Sequence, residues 1–179
     1  MKKIIGISGS PRKNGNSEYA LNYIMEKCAD FAETNKISLY DKKIDICDGC
    51  LVCEDTQECK FKDDMIAISK EILEADIIVI ATPVYFDNVP SMLKNFIDRT
   101  NPICNMLRGK KAYIVTFGQA DEISWERARQ SIGYYFEVMQ ITLESAASFK
   151  ARNIGEANND PLVKEKLDEL IDNIQKSCI

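Results

Sequence analysis

Histidine is absent from all 179 residues. That removes the side chain that most often moves protons near neutral pH, and it weakens any reading as a zinc site, where histidine is a standard ligand. Basic clusters are also missing. Beyond Lys42-Lys43 and Lys110-Lys111 no Lys/Arg patch forms, and the net charge is -5. Phosphate backbones need a basic face, so a nucleic-acid partner is not expected. No apolar run reaches membrane length. The longest, around Ile77 to Phe86, is interrupted by Thr82 and Pro83 and falls well short of the ~20 residues of a spanning helix. The apolar run behind Met1-Lys2-Lys3 stops at Gly6, too short for the core of an export signal. A cytoplasmic protein without a membrane partner is the expectation. Neither G-x-G-x-x-G nor a G-K-[ST] loop occurs, which sets aside the usual dinucleotide and triphosphate motifs.

Cysteine, by contrast, is abundant. Four of the seven fall together as Cys47, Cys50, Cys53 and Cys59, spaced C-x2-C-x2-C-x5-C. Two short gaps in succession let three thiolates face one corner of an iron–sulfur cluster, which the looser fourth then closes. Ferredoxin-type ligation uses a similarly compact run. Structural zinc sites more often use two separated pairs. An odd count without an export signal argues against a disulfide framework and for a reducing compartment. Cys28, Cys104 and Cys178 have no partner spacing and read as small buried or incidental thiols.

Short β-branched runs alternate with helix-length amphipathic segments. Strands are expected at Lys3–Ser8, Lys36–Tyr40, Ile77–Ala81, Lys111–Phe117 and Ile141–Ser148. Helices are expected over Ser17–Phe31, Asp63–Ala75, Pro90–Arg99, Ser124–Met139 and from Asp160-Pro161 onward. Five strands separated by helices predict a parallel α/β sheet in one domain over 1–179, and the doubly wound order 2-1-3-4-5 is the arrangement adopted for it. The stretch 41–62 shows no periodicity and holds the cysteines. A loop of that length in a compact domain is usually functional.

Two further loops stand out. Ser8-Gly9-Ser10-Pro11-Arg12-Lys13-Asn14-Gly15-Asn16-Ser17 follows strand 1 and leads into a helix. Its hydroxyl, amide and backbone N–H donors suit one monophosphate at a helix N-terminus; the plainer reading is a solvated turn with a helix cap. Thr82-Pro83-Val84-Tyr85-Phe86-Asp87-Asn88-Val89-Pro90 follows strand 3 and is apolar where such a loop should be polar. It suits a flat ring, with Thr82 and Asn88 at the ring's edge, or a subunit interface. In the order 2-1-3-4-5 these loops flank the switch point between strands 1 and 3, where flavodoxin holds FMN. The loop after strand 4, Phe117-Gly118-Gln119, would be a third wall.

Taken in order, Ser8-Gly9-Ser10-Pro11-Arg12 with Gly15-Asn16-Ser17, the cysteine run leading into Lys62-Asp63-Asp64-Met65, the Pro83-Val84-Tyr85-Phe86-Asn88 loop, and Pro90-x-x-Leu93-Lys94-x-Phe96-Ile97-Asp98-Arg99 resemble the iron–sulfur flavoproteins of the flavodoxin-like NAD(P)H-dependent FMN reductase superfamily. The likeness is clear over roughly Met1 to Gly118. It implies a flavodoxin-like fold, bound FMN, and a [4Fe–4S] cluster on Cys47, Cys50, Cys53 and Cys59. It implies phosphate-loop contacts at Ser10, Pro11, Arg12, Asn16 and Ser17, and ring contacts at Pro83, Val84, Tyr85, Phe86 and Asn88. Gly118 would touch the ring edge, although relatives often carry more glycine in that loop. It also implies a homodimer or homotetramer, and a redox partner such as ferredoxin or NAD(P)H.

The expected chemistry is an FMN-dependent oxidoreductase that couples a one-electron carrier to a two-electron one, with Tyr85 or water near the flavin as proton source. The competing readings are a flavin-only NAD(P)H-dependent reductase of FMN or quinones with structural cysteines, and a zinc-holding docking protein. Asp48, Glu54, Asp55 and Glu58 either crowd negative charge around the cysteines or form a solvated face. Asp63-Asp64 reads as a helix cap, Asp98-Arg99 as dipole complementation or an interface ion pair, and Trp125 as core.

Overall fold

A computed structural model describes residues 1–179. Five strands, β1 (Lys3–Ser8), β2 (Glu33–Ser38), β3 (Ile77–Pro83), β4 (Lys111–Gly118) and β5 (Thr142–Lys150), form one sheet. All neighbouring pairs are parallel, as the alternation of strand and helix predicts, and the order is 2-1-3-4-5. Six α-helices connect or flank them: α1 (Asn16–Cys28), α2 (Val52–Thr56), α3 (Met65–Glu74), α4 (Ser91–Arg99), α5 (Glu122–Val138) and α6 (Pro161–Cys178).

The central strand β3 shows why the sheet is covered on both sides. Alternate side chains on a strand point to opposite faces. Ile78 and Ile80 join an apolar cluster with α3, α4 and α5, through Ile72, Phe96 and Phe136. Ile77, Val79 and Ala81 join the opposite cluster with α1 and α6, through Leu21, Ile24 and Leu167. Each large apolar side chain so buried contributes ~1.5–3 kcal/mol relative to exposure. A strand buried on both faces reads as a continuous β-branched run, which made it legible.

Some boundaries differ from the sequence expectation. β2 begins at Glu33, because its pairing with β1 starts at Lys3 opposite Glu33. Leu39-Tyr40, expected to finish that strand, coil with Asp41 into a 3-10 turn. Within 41–62 the short helix α2 interrupts an otherwise irregular segment. Leu51 and Gln57, both left-handed, bracket it, and five residues are too few to leave an amphipathic signal.

Candidate functional site

Two cavities hold the residues singled out in the sequence, one at the strand C-termini and one against the C-terminal ends of α4 and α5. The smaller is about 160 Å³ and is lined by Ser10, Arg12, Asn16, Ser17, Pro83, Val84, Tyr85 and Gly118, joined by Arg152 and Ile154 from beyond β5. Pro11, Phe86 and Asn88 lie outside its lining. Thr82 is fully buried, its hydroxyl donates to the Pro83 carbonyl at 3.1 Å, and it too lies outside the lining.

The phosphate-type loop is held from within. The Ser10 hydroxyl accepts from the Arg12 N–H at 3.1 Å. The buried Glu18 carboxylate accepts from the Asn14 N–H at 2.6 Å and from Ser38 at 3.2 Å, with Lys36 at 3.3 Å. Burial works to raise the Glu18 pKa, but these donors outweigh it and hold the carboxyl below its ordinary value. Asn14 is thereby fixed in the left-handed region, φ 55. The first-turn N–H groups of α1, which no helix satisfies internally, are left for a ligand.

The segment after β5 is the part that sequence reasoning missed. Arg12 donates to the Arg152 carbonyl at 3.1 Å. Asn16 donates to the Asn153 carbonyl at 2.9 Å and accepts from the Ala157 N–H at 3.2 Å. The signal was topological: a polar Arg152-Asn153 pair at the same sheet edge as the other loops.

The loop after β3 folds back on itself. Tyr85 and Asn88 exchange backbone hydrogen bonds of 2.8 and 3.0 Å. Between them Phe86 and Asp87 both take positive φ, 49 and 60, the geometry of a tight primed turn. Phe86 stands fully in solvent, and Asp87 is tied down by Arg127. Beyond β4, Gly118 is required by close approach. A Cβ there would sit 2.5 Å from Trp125 Nε1 and 3.3 Å from the Val84 Cβ. Trp125, expected in the core, is half-buried against this wall instead. Its indole N–H is buried with no hydrogen-bond partner.

The larger cavity, about 590 Å³, is lined by all four cysteines of the run, together with Phe61, Arg99, Asn101 and a face of α5. Cys47 and Cys50 are exposed, while Cys53 and Cys59 are half-buried. Gly49 takes φ +69 and Leu51 φ 63, so the chain reverses its curl twice between the first three thiols. No three of the thiols stand close enough to share a metal ion. The donor set and its placement on one cavity nevertheless suit a thiolate-ligated cluster in kind.

α4 organises this segment. Asn95 donates to the Ile44 carbonyl at 3.1 Å and accepts from the Cys47 N–H at 3.3 Å. One turn on, Arg99 donates to the Asp45 carbonyl at 2.6 Å and grips Asp63 at 2.7 and 3.0 Å. Asp63 is therefore a buried counter-ion; the N-cap position of α3 belongs to Asp64. Arg99 is buried inside the chain, not placed at an interface. Of the four acids near the cysteines, Asp48 is paired with Lys60 and Glu58 with Lys62 at 3.6 Å, so the negative charge there is partly compensated.

A crevice at the switch point of a 2-1-3-4-5 sheet, with a polar loop on one side and an apolar loop on the other, defines the flavodoxin-like class. Solved structures agree on the fold. An NAD(P)H:quinone oxidoreductase from Methanothermobacter marburgensis superposes with a TM-score of 0.77 at 14% identity, covering 97% of both chains. The Trp repressor binding protein from Bacillus subtilis superposes at 0.70 and 21% identity, covering 93% of this chain and 96% of that one. The NADPH-dependent FMN reductase family matches residues 2–151. An iron–sulfur flavoprotein of Methanocaldococcus jannaschii is 36% identical over 168 residues, 88% of this chain and 86% of its own. A second one from that organism is 36% identical over 161 residues, 86% and 79%. The chain belongs to the flavodoxin-like NADPH-dependent FMN reductase family, among relatives named iron–sulfur flavoproteins. It is an FMN-dependent oxidoreductase.

Proposed function

We propose that this oxidoreductase couples a [4Fe–4S] cluster on Cys47, Cys50, Cys53 and Cys59 to FMN in the crevice at the sheet's carboxyl edge. The observation that carries the reading is the position of α4. The loop before it walls the crevice at Val84 and Tyr85, and its last turn lies against the four-cysteine cavity at Arg99. Nine residues of helix separate the two sites within a protomer, ~14 Å at 1.5 Å per residue.

When bound, FMN exchanges two electrons and the cluster one, and the chain supplies position and electrostatics. Ser10, Arg12, Asn16, Ser17 and the N-terminus of α1 would hold the phosphate. At 160 Å³ the closed part of the crevice is too small for a whole flavin, whose sites usually exceed ~300 Å³. The ring would therefore lie over Pro83, Val84, Tyr85 and Gly118, toward solvent. With no histidine in the chain, the Tyr85 hydroxyl or water supplies protons. Exposed Ile123, Tyr134 and Val138 along α5 support self-association as a homodimer or homotetramer.

A second reading, a flavin-only NAD(P)H-dependent reductase, draws on the separation of the thiols and on the quinone and azo reductases that share the fold. Anaerobic reduction of the reconstituted protein separates the two. Rapid flavin reduction by reduced ferredoxin, with slow reduction by NADPH, supports the coupled carrier. Rapid bleaching by NADPH, unchanged when Cys50 is replaced by serine, selects the flavin-only reductase. Tightly bound zinc without yellow colour selects a docking protein.

A further inference from the structure

Two donors near the C-terminal end of α4 line the cysteine cavity, and the flavin crevice uses neither. Asn101 donates through Nδ2 to the Cys53 sulfur at 3.2 Å. Arg99 is 2% exposed, and three of the five N–H groups of its planar head go to Asp63 and the Asp45 carbonyl. Its Nε–H is buried with no partner. A buried donor left unmade costs ~1–3 kcal/mol, so an orphan of this kind calls for an explanation. Its surroundings supply one. Arg99 and Cys59 line the same cavity, and the guanidinium lies 5.0 Å over the Phe61 ring, two residues from Cys59. Burial works to lower the Arg99 pKa, but Asp63 and then Cys59 hold the proton on.

The geometry points to Arg99 and Asn101 as a pair of N–H donors to the Cys59 and Cys53 sulfurs, with Arg99 the charged residue that sets the reduction potential of the metal centre those sulfurs hold. Asp63 is the positioning residue that orients the guanidinium and offsets part of its charge. The inference rests on the cluster reading above and adds the groups that tune it. Hydrogen bonds to ligating sulfur and nearby charge are the protein's main means of setting such potentials. A fixed cation favours the reduced form, which carries one more electron. Cation and counter-ion must therefore act with opposite signs.

The test is a potentiometric titration of the reconstituted protein, following the reduced cluster by EPR and not by turnover. Arg99→Gln removes the cation and should lower the midpoint potential, changing the reduced-to-oxidised ratio at a fixed potential by at least tenfold, which is 59 mV for a one-electron couple. Asp63→Asn leaves the cation without its counter-ion and should raise the potential by a smaller factor. Asn101→Leu, at an exposed position, should lower it by severalfold. Loosened packing or added solvent would move all three variants the same way, so opposite signs mark an electrostatic role. If Arg99→Gln fails to fold, the Asp63 and Asn101 variants still decide. Potentials within twofold of wild type in ratio, or a common direction for Arg99→Gln and Asp63→Asn, overturn the inference while leaving the cluster in place. A wild-type protein that takes up no iron under anaerobic reconstitution overturns the cluster reading, and this inference with it.

Discussion

Arg99 and Asp63 meet in a two-pronged ion pair, 2.7 and 3.0 Å long, with side chains only 1% and 6% exposed. Asp63 also accepts from the backbone N–H groups of Asp45 at 2.9 Å and Met65 at 3.1 Å. The pair thus fastens both ends of the cysteine-bearing segment to α4. Removing one partner leaves a buried charge alone, which costs ~3–5 kcal/mol. Asp63→Ala should lower the urea midpoint accordingly and raise the protease sensitivity of 41–62.

The same carboxylate gives a pH signature. Burial pushes the Asp63 pKa up, but Arg99 and the two backbone donors outweigh it and hold it below its ordinary value. An unfolded aspartate titrates near 3.9. The stability Asp63 contributes is therefore complete above about pH 4 and is lost as pH falls through the depressed folded value. Urea titrations from pH 6 down to 2 should show the wild type losing stability more steeply below pH 4 than Asp63→Asn. Parallel curves would show that the pair carries no such linkage.

Gly118→Ala tests the wall of the crevice. The new methyl would fall 2.5 Å from Trp125 Nε1 and 2.7 Å from its Cδ1, so the indole must move, at ~1–3 kcal/mol for overpacking. Trp125 is the only tryptophan, so its emission reports the displacement directly. A red shift with weaker FMN binding is expected. An unchanged spectrum would place the indole elsewhere.

Phe86 carries left-handed backbone strain with no packing return, since its side chain is fully exposed. Phe86→Gly should stabilise the protein by ~1–2 kcal/mol, the cost of a β-carbon in that region, read as a rise in melting temperature. FMN affinity should stay within a factor of two, because Phe86 lies outside the crevice lining. A large loss of affinity would give Phe86 the ring contact that the family resemblance implies.

Much of the sheet was legible in the sequence because β3 and β4 are buried on both faces and so read as unbroken apolar runs. That the loops after strands 1 and 3 line one cavity was legible because they must share one edge in this strand order. What escaped depends on contacts across long separations. Asp63 and Arg99 lie 36 residues apart, and each alone resembles an ordinary helix-terminal charge. Arg12 and Arg152 are 140 apart, and no local pattern announces that the segment after β5 closes on the first loop. Trp125 fits the apolar face of α5 by spacing, yet the missing side chain at Gly118 draws it to the crevice wall.

Thiol reactivity separates ligand cysteines from structural ones. Burial pushes the Cys28 thiol up to about 12, so it should resist iodoacetamide in the native protein. Cys47 and Cys50 are exposed and should react first. After anaerobic reconstitution with iron and sulfide, Cys47, Cys50, Cys53 and Cys59 should all become protected while Cys104 and Cys178 do not. Peptide mass mapping reads the pattern.

The most direct measurement is an anaerobic absorption spectrum, with iron and flavin quantified per chain, for wild type and Cys50→Ser. The wild type should bind one FMN and about four irons per chain, giving a flavin doublet over a broad cluster absorption. Cys50→Ser should keep the flavin and lose the broad component. A wild type that binds FMN without iron, or iron without FMN, contradicts the coupling of the two sites.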